Sequence, residues 1–104
     1  MNRILKFDVE GQNIKKNSNC DFSSIERGTK DYLIAEFTFS SDWDGYYKAG
    51  VFRGSCEKEV ATPILDNRCT IPFEALTKEA FVVQVVGKSK RGIVKSRTVE
   101  VTQL

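Results

Sequence analysis

Runs of alternating apolar and polar residues, separated by turn residues, are the feature of this sequence that most restricts its fold. In the run LIAEFTF from Leu33 to Phe39, apolar side chains occupy every odd position, and Glu36 and Thr38 lie between them. A period of two is typical of a β-strand with one buried face, whereas a helix needs a period near 3.6. The run therefore predicts a half-buried strand.

Other runs of similar length predict further strands. In 46–52, the side chains of Tyr47, Ala49 and Val51 share a face. The run 80–87 is apolar on both parities apart from Gln84, which predicts the central strand of a sheet. The remaining predicted strands are 4–9, 57–64, 69–71 and 93–101, and a short strand around Ile14 is left open within the mostly polar loop 12–31.

Two prolines and a pair of turn residues place the connections. Pro63 cannot donate a ladder hydrogen bond, which favours an edge or an end for the strand 57–64. Asp66 and Asn67 tolerate positive φ and predict a tight hairpin, in which residue 64 would face 69 and residue 63 would face 70. Pro72 suits a first helical position, so 72–76 is predicted to form one helical turn crossing between sheets.

The last predicted strand has conflicting parities. Lys95 and Arg97 fall on the parity of Val99, so either a bulge shifts the register or the strand leaves the core at its start. About seven short strands with almost no helix predict an all-β fold, an immunoglobulin-like two-sheet antiparallel β-sandwich. The 104 residues suffice for one core only, so residues 1–104 are expected to form a single domain.

The absence of histidine excludes most catalytic arrangements. Ser-His-Asp and Cys-His nucleophiles, most zinc and iron sites and the commonest general base all require that side chain. The three cysteines lack a C-x-x-C pair and are odd in number, which argues against a disulfide framework and a thiolate zinc site. Cys69 is expected to be a small buried hydrophobe. We expect no enzyme activity, no catalytic residue, no metal site and no cofactor.

The segment Asp42-Trp-Asp-Gly45 superficially resembles a calcium loop. If Gly45 is placed at the sixth position of such a loop, Val51 occupies the twelfth, where a bidentate carboxylate is required. The segment is therefore interpreted as an acidic turn before a strand.

Trp43, Tyr46 and Tyr47 form an aromatic cluster in the sequence around that turn. Two interpretations are open: a plug that closes one end of the sandwich, which is favoured because a small core needs large side chains, or an exposed platform that stacks on a sugar ring. The second would make the domain a carbohydrate-binding module.

A basic segment near the C-terminus lacks carboxylates: it contains Lys88, Lys90, Arg91, Lys95 and Arg97. A nucleic-acid reader would interleave aromatic residues with these charges, and none follows Val82, so no nucleic-acid partner is expected. A solvated hairpin tip or a protein interface remains. The candidate partner contacts are Trp43, Tyr46, Tyr47, Lys88, Lys90 and Arg91.

Neither a secretory signal nor a membrane span is expected. Charged residues interrupt the first eight positions, and no apolar run approaches the ~18 residues of a spanning helix. The net charge of +2 is too small to steer the whole molecule toward polyanions. These properties predict a soluble protein that is synthesised in the cytoplasm.

Four of these segments, in order and spacing, resemble the N-terminal immunoglobulin-like domain of upper baseplate proteins from tailed phages of Gram-positive bacteria. They are Phe37–Trp43 (FTFSSDW), Lys48–Phe52 (KAGVF), Leu65–Leu76 (LDNRCTIPFEAL) and Phe81–Gly87 (FVVQVVG). The match spans about half of the chain directly, and the Leu-Asp-Asn-x-Cys-x-Ile-Pro block is the most specific.

The resemblance implies a non-enzymatic structural module of a phage or prophage tail. Such a module would bind other tail or baseplate proteins, would work in a symmetric homo-oligomeric ring, and would reside in the virion after synthesis in the bacterial cytoplasm. The shared positions are those of turns and core, so the resemblance transfers no ligand residue. In proteins of this kind the domain usually precedes receptor-binding or fibre-attaching segments.

Overall fold

A computed structural model describes residues 2–26, 30–54, 58–76 and 79–103 of the chain. Two β-sheets pack face to face and are joined by short turns, so the all-β two-sheet prediction is confirmed. The nine strands, in chain order, are β1 (Arg3–Glu10), β2 (Asn13–Lys16), β3 (Leu33–Phe39), β4 (Tyr47–Gly54), β5 (Val60–Pro63), β6 (Arg68–Thr70), β7 (Ala80–Ser89), β8 (Gly92–Lys95) and β9 (Val99–Thr102). The predicted segment around residue 57 lies outside the described residues.

The first sheet has the strand order β2-β1-β3-β6, and the second has the order β5-β4-β7-β8, with β9 also paired to β7. β7 is the central strand of the second sheet, as predicted, and β5 with its Pro63 is an edge strand. β1 and β3 run parallel, with Leu5 opposite Ala35. The prediction of a wholly antiparallel sandwich is therefore wrong for this pair, which a 22-residue connection that includes β2 brings together.

The core fills the space between the sheets. It is built from alternate residues of the strands, including Phe7, Phe37, Phe52 and Phe81, each at most 1% exposed. Burial of such apolar surface contributes about 25 cal/mol per Å² and is the main stabilising term. The interior face of β4, however, consists of Gly50, Phe52 and Gly54, and not of the set that begins with Tyr47.

Tyr47, Ala49 and Val51 face outward, because the inner face of β4 carries glycines at positions where neighbouring side chains fill the space. A Cβ on Gly50 would lie 2.8 Å from the Phe52 ring and 3.1 Å from the Cys69 sulfur. The inner parity therefore has to be small at this position, and the more hydrophobic parity of the strand is left on the outside.

The predicted Asp66–Asn67 turn is confirmed, but the hairpin register is wrong. Both residues have positive φ, 53° and 62°, and Leu65 exchanges backbone hydrogen bonds with Arg68. Beyond that single bridge the strands separate, because β5 stays with β4 in the second sheet and β6 pairs with β3 in the first. Residue 64 therefore does not face residue 69, nor residue 63 residue 70.

A 3₁₀ turn at Phe73–Ala75 then returns the chain to the second sheet, which confirms the predicted helical crossing. Pro72 caps this turn and lies just outside it. A second 3₁₀ turn, Ser41–Trp43, lies within the predicted loop between β3 and β4.

A bulge separates β8 from β9, which decides between the two alternatives left by the sequence. Val86 pairs with Lys95, whereas Val83 pairs with Val99, so three residues on one strand oppose two on β7. The Ser96 hydroxyl accepts a hydrogen bond from the Val85 N–H at 2.9 Å, and so fills the gap in the ladder. This break and the formation of β2 account for nine strands in place of about seven.

Candidate protein-interaction surface

Trp43 lies at the end of the sandwich where β1 and β3 finish and is only 2% exposed. Its indole N–H donates to the Gly11 carbonyl at 2.8 Å, and its ring centroid lies 5.6 Å from that of Phe39. Trp43 therefore has the position that the plug interpretation predicts. The sugar-stacking interpretation and the partner-contact prediction are both wrong for Trp43, because its ring is buried.

Tyr46 and Tyr47 are adjacent in sequence but lie in different surroundings. Tyr46 packs edge-on against Trp43, with centroids 6.3 Å apart, and the Arg91 guanidinium lies 5.7 Å from the Tyr46 ring centroid. Tyr47 points outward from β4 and is 87% exposed. The three aromatic residues therefore do not form one flat platform for a sugar, and the free ring is that of Tyr47.

The basic segment forms the hairpin between β7 and β8, and this hairpin lies beside the two tyrosines. Lys88 is the ladder neighbour of Tyr47, and Lys90 and Arg91 lie in the exposed turn. The fold thus brings together five of the six predicted partner contacts, although about 40 residues separate the two groups in sequence. The basic segment itself contains no aromatic residue, but Tyr46 and Tyr47 lie beside it in the folded chain.

The outward side of the second sheet is apolar across several strands. Ladder neighbours point to the same side of a sheet, so the registers define rows of outward residues. In the row nearest the basic hairpin, Tyr47, Lys88 and Ile93 lie side by side. The following outward rows are Pro63–Ala49–Val86–Lys95, then Ala61–Val51–Gln84, then Arg53–Val82–Glu100. We call these residues the outer face.

The outward side of the first sheet has a different composition. There the apolar pair Ile4–Ile34 is followed by the polar pairs Lys6–Glu36 and Asp8–Thr38, and Arg68 forms an ion pair with Glu36 at 2.8 Å. A sheet with one solvated face normally carries polar residues on that face. The second sheet departs from it, since its outward residues Ala49, Val51, Val82 and Val86 are apolar and only partly covered.

Two hollows flank Tyr46 at the end of the sandwich, next to the hairpin end of the outer face. One, about 430 Å³ in volume, lies between Tyr47 and Leu65. The other, about 370 Å³, lies between Tyr46 and Ile93. Leu65 is 75% and Ile93 64% exposed, so with Tyr47 the most exposed large apolar side chains among the described residues border these hollows.

Sequence reasoning missed Leu65, Ile93 and the outward valines as candidate contacts. One signal was present: the central strand is apolar on both parities, with Val82 and Val86 flanking Gln84, which fits either a covered second face or an exposed apolar surface. For the described residues the structure favours the exposed surface.

The thiols and acids in the described part of the chain show no arrangement typical of catalysis. Burial raises the pKa of the Cys69 thiol to about 12, so this group is protonated at neutral pH and is a poor nucleophile. Hydrogen bonds from the Ser23 hydroxyl and from the Ser23 N–H lower the pKa of the exposed Asp21 carboxyl. Within the described ranges, no three His, Cys, Asp or Glu side chains cluster closely enough to hold a metal ion.

The acidic turn before β4 has a structural role. The Ser40 hydroxyl donates to the Asp42 carboxylate at 3.0 Å and accepts from the Gly11 N–H at 3.1 Å. Together with the bond from Trp43 to Gly11, these contacts tie the β1–β2 turn to the 3₁₀ turn beneath the basic hairpin. These hydrogen bonds therefore fix the turn that precedes Tyr46 and Tyr47.

None of the helical segments in the described part of the chain is of a length and polarity that would cross a membrane. Comparison of the chain with protein-family models, with curated proteins and with solved structures found no match.

Proposed function

We propose that this protein is a non-catalytic structural module of a phage or prophage tail or baseplate, and that it acts by binding other proteins of that assembly. The observation that carries the binding role is the outer face of the second sheet. A contiguous apolar surface on a soluble protein usually marks an interaction site, and this one is rimmed by charged residues.

The tail assignment is supported by the resemblance of four sequence segments to baseplate immunoglobulin-like domains. Residues of those segments have scaffold roles in this fold: Asp66 and Asn67 adopt the positive φ of the turn, and Cys69, Ile71 and Phe37 are buried. These residues therefore build the scaffold of the domain. The binding specificity belongs instead to outward residues such as Tyr47 and Lys88.

A binding role also agrees with the chemistry of the site. Tyr46, Tyr47 and the basic hairpin offer ring faces, hydroxyl groups and fixed positive charge, which anchor protein partners through burial and charge-assisted hydrogen bonds. The proposal places the protein in the virion, at the tail or baseplate, after synthesis in the host cytoplasm. It also allows several copies to occupy equivalent places in a symmetric ring.

Mass spectrometry of phage particles tests this function. Particles induced from the strain that encodes the chain would be purified on a density gradient, and peptides of the chain quantified against those of the major tail proteins. We expect the chain to co-purify at a constant ratio to tail proteins in every gradient fraction that holds intact particles. Its absence from intact particles would refute the assignment.

A further inference from the structure

We infer that the outer face docks a partner protein whose contact surface is apolar at its centre and carries carboxylates at its edge. The inference rests on the proposed function and deepens it by naming the surface and the chemistry of the partner. Three features of the described residues lead to it: the row order of the outer face, the charges at one end, and the area available.

The row order concentrates the apolar groups. The two middle rows contribute the apolar residues Ala49, Val51, Ala61, Pro63 and Val86, with Gln84 at the end of one row and Lys95 at the end of the other. These residues are small and β-branched, and their side chains stand on a pleated surface that hydrogen bonds hold rigid on both sides of β4 and β7. A flat, rigid apolar centre loses little conformational entropy when a partner covers it.

The charges at the hairpin end are positive, and none of them has an acidic partner among the described residues. Lys88 and Lys95 belong to the outward rows, and Lys90 and Arg91 extend from the adjoining turn. In the described part of the chain none of these four forms an ion pair, and the acidic member of the rows, Glu100, lies at the far end beside Val82. Carboxylates on a partner would complement the hairpin end and orient docking.

A second copy of the chain fits the outer face less well. With strands about 4.8 Å apart and about 3.3 Å per residue, the outward rows cover roughly 400 Å². Two copies would bury about 800 Å² in total, below the roughly 1,200 Å² of a stable interface. If the hairpin ends were juxtaposed, Lys88 would also meet like charge. A different partner can extend beyond the rows onto the hairpin and into both hollows.

The hollows give such a partner its anchor points. The one between Tyr47 and Leu65 has two highly exposed apolar walls, and the one beside Ile93 has Tyr46 as its inner wall. Aromatic or aliphatic side chains inserted into hollows of this size are the usual anchors of protein interfaces. The partner surface is therefore expected to project at least one large apolar side chain near its carboxylates.

Photo-crosslinking of the full-length chain in the strain that encodes it tests the inference. Benzoylphenylalanine would replace Tyr47 on the outer face, or Thr38 on the outward side of the first sheet as the matched control. The crosslinked peptide would be identified by mass spectrometry. We expect the Tyr47 position to crosslink to one protein, at a peptide that contains Asp or Glu and large apolar residues, and the Thr38 position to give at least tenfold less.

Charge reversal provides the second arm of the experiment. In the Tyr47 crosslinking variant, the additional change K88E/K95E is expected to lower the crosslink yield at least tenfold, whereas K15E, on an exposed residue of β2, leaves it unchanged. Circular dichroism and the urea midpoint establish that each variant is folded. A reduction that appears equally with both charge variants would overturn the role of the hairpin charges.

The identity of the crosslinked partner separates the two proposals. An acidic tail protein supports both the docking surface and the function; an acidic protein that is not part of phage particles supports the surface and counts against the tail assignment. A second copy of this chain, a nucleic acid, a basic peptide, or equal yield from both positions would each overturn the inference. So would the absence of any crosslink from the Tyr47 position.

Discussion

Gly87 is the position at which the packing of this sandwich can be tested most sharply. It lies on β7 with its missing side chain directed at Trp43, and a Cβ built there would lie 2.8 Å from Cζ3 and 3.1 Å from Cε3 of the indole ring. Normal carbon–carbon contacts are about 3.5–4.0 Å, so the ring would have to move. Its hydrogen bond to the Gly11 carbonyl and its buried position oppose that movement.

The Gly87→Ala substitution is therefore expected to destabilise the protein. Overpacking of this kind costs about 1–3 kcal/mol. The same change reduces the entropy of the unfolded chain, which stabilises the native state by about 0.4–1 kcal/mol. The net loss in the free energy of unfolding is then about 1–2 kcal/mol. With a slope of about 1.5 kcal/mol per molar urea, the midpoint falls by about 1 M.

Urea denaturation followed by far-UV circular dichroism measures this effect. A double-mutant cycle with Trp43→Phe serves as the control, because the smaller ring lacks the atoms that would collide with the new methyl group. We expect the cost of Gly87→Ala to fall below about 0.5 kcal/mol in the Trp43→Phe background. A neutral or stabilising effect of Gly87→Ala in the wild-type background would refute the reasoning, since it would mean that the indole does not pack against β7.

Three further predictions concern the bulge, the hairpin turn and the buried thiol. Ser96→Ala leaves the Val85 N–H without its 2.9 Å partner and is expected to lower the free energy of unfolding by about 1–3 kcal/mol, measured by urea denaturation. Thr98→Ala, at an exposed residue of the same bulge, should lower it by less than about 0.5 kcal/mol. Asn67→Val puts a β-branched residue at φ 62° and should lower the free energy of unfolding by about 1–3 kcal/mol, while Asn67→Gly should be neutral within about 0.5; equal effects would contradict the turn assignment. In a variant whose other cysteines are serine, Cys69 should resist a thiol reagent at pH 8 and react in urea, because burial holds its pKa at about 12. The protonated thiol stabilises the fold below the ordinary thiol pKa of 9.0. This contribution to the free energy of unfolding is lost as the pH rises from 9.0 toward 12. Rapid labelling of the native protein would contradict that burial.

Much of the strand pattern follows from the sequence because it depends on local alternation. The run Leu33–Phe39 is a strand with the bounds that its periodicity indicates, and the central position of β7 follows from its apolar residues on both parities. The Asp66–Asn67 turn was also predictable, since these residue types tolerate positive φ. In each case the determining interaction is with the strand's own backbone or with immediate neighbours.

What could not be predicted depends on partners distant in sequence. The inner face of β4 carries Gly50 because the Phe52 ring and the sulfur of the distant Cys69 fill that space, so the hydrophobicity of the strand does not indicate which of its faces is buried. The parallel pairing of β1 with β3 leaves no local pattern. The same reason explains the candidate surface: Tyr47, Leu65 and Ile93 lie on three segments, and only the folded chain places them around the hairpin.

The central claim, that this chain joins a phage tail by docking its outer face, is tested most directly by incorporation into particles. The strain would express the wild-type chain, the variant Val86→Glu or the variant Ile34→Glu, and the chain would be quantified in gradient-purified particles. Val86 lies in the middle of the outer face, and Ile34 is a β-branched, half-buried residue on the outward side of the first sheet. We expect Val86→Glu to be depleted at least tenfold, because docking would desolvate its carboxylate and because that carboxylate would neutralise the neighbouring Lys95, which the carboxylates of the partner are inferred to bind. Ile34→Glu is expected to be incorporated like the wild type. Equal incorporation of Val86→Glu and wild type, or no incorporation of the wild type, would contradict the claim.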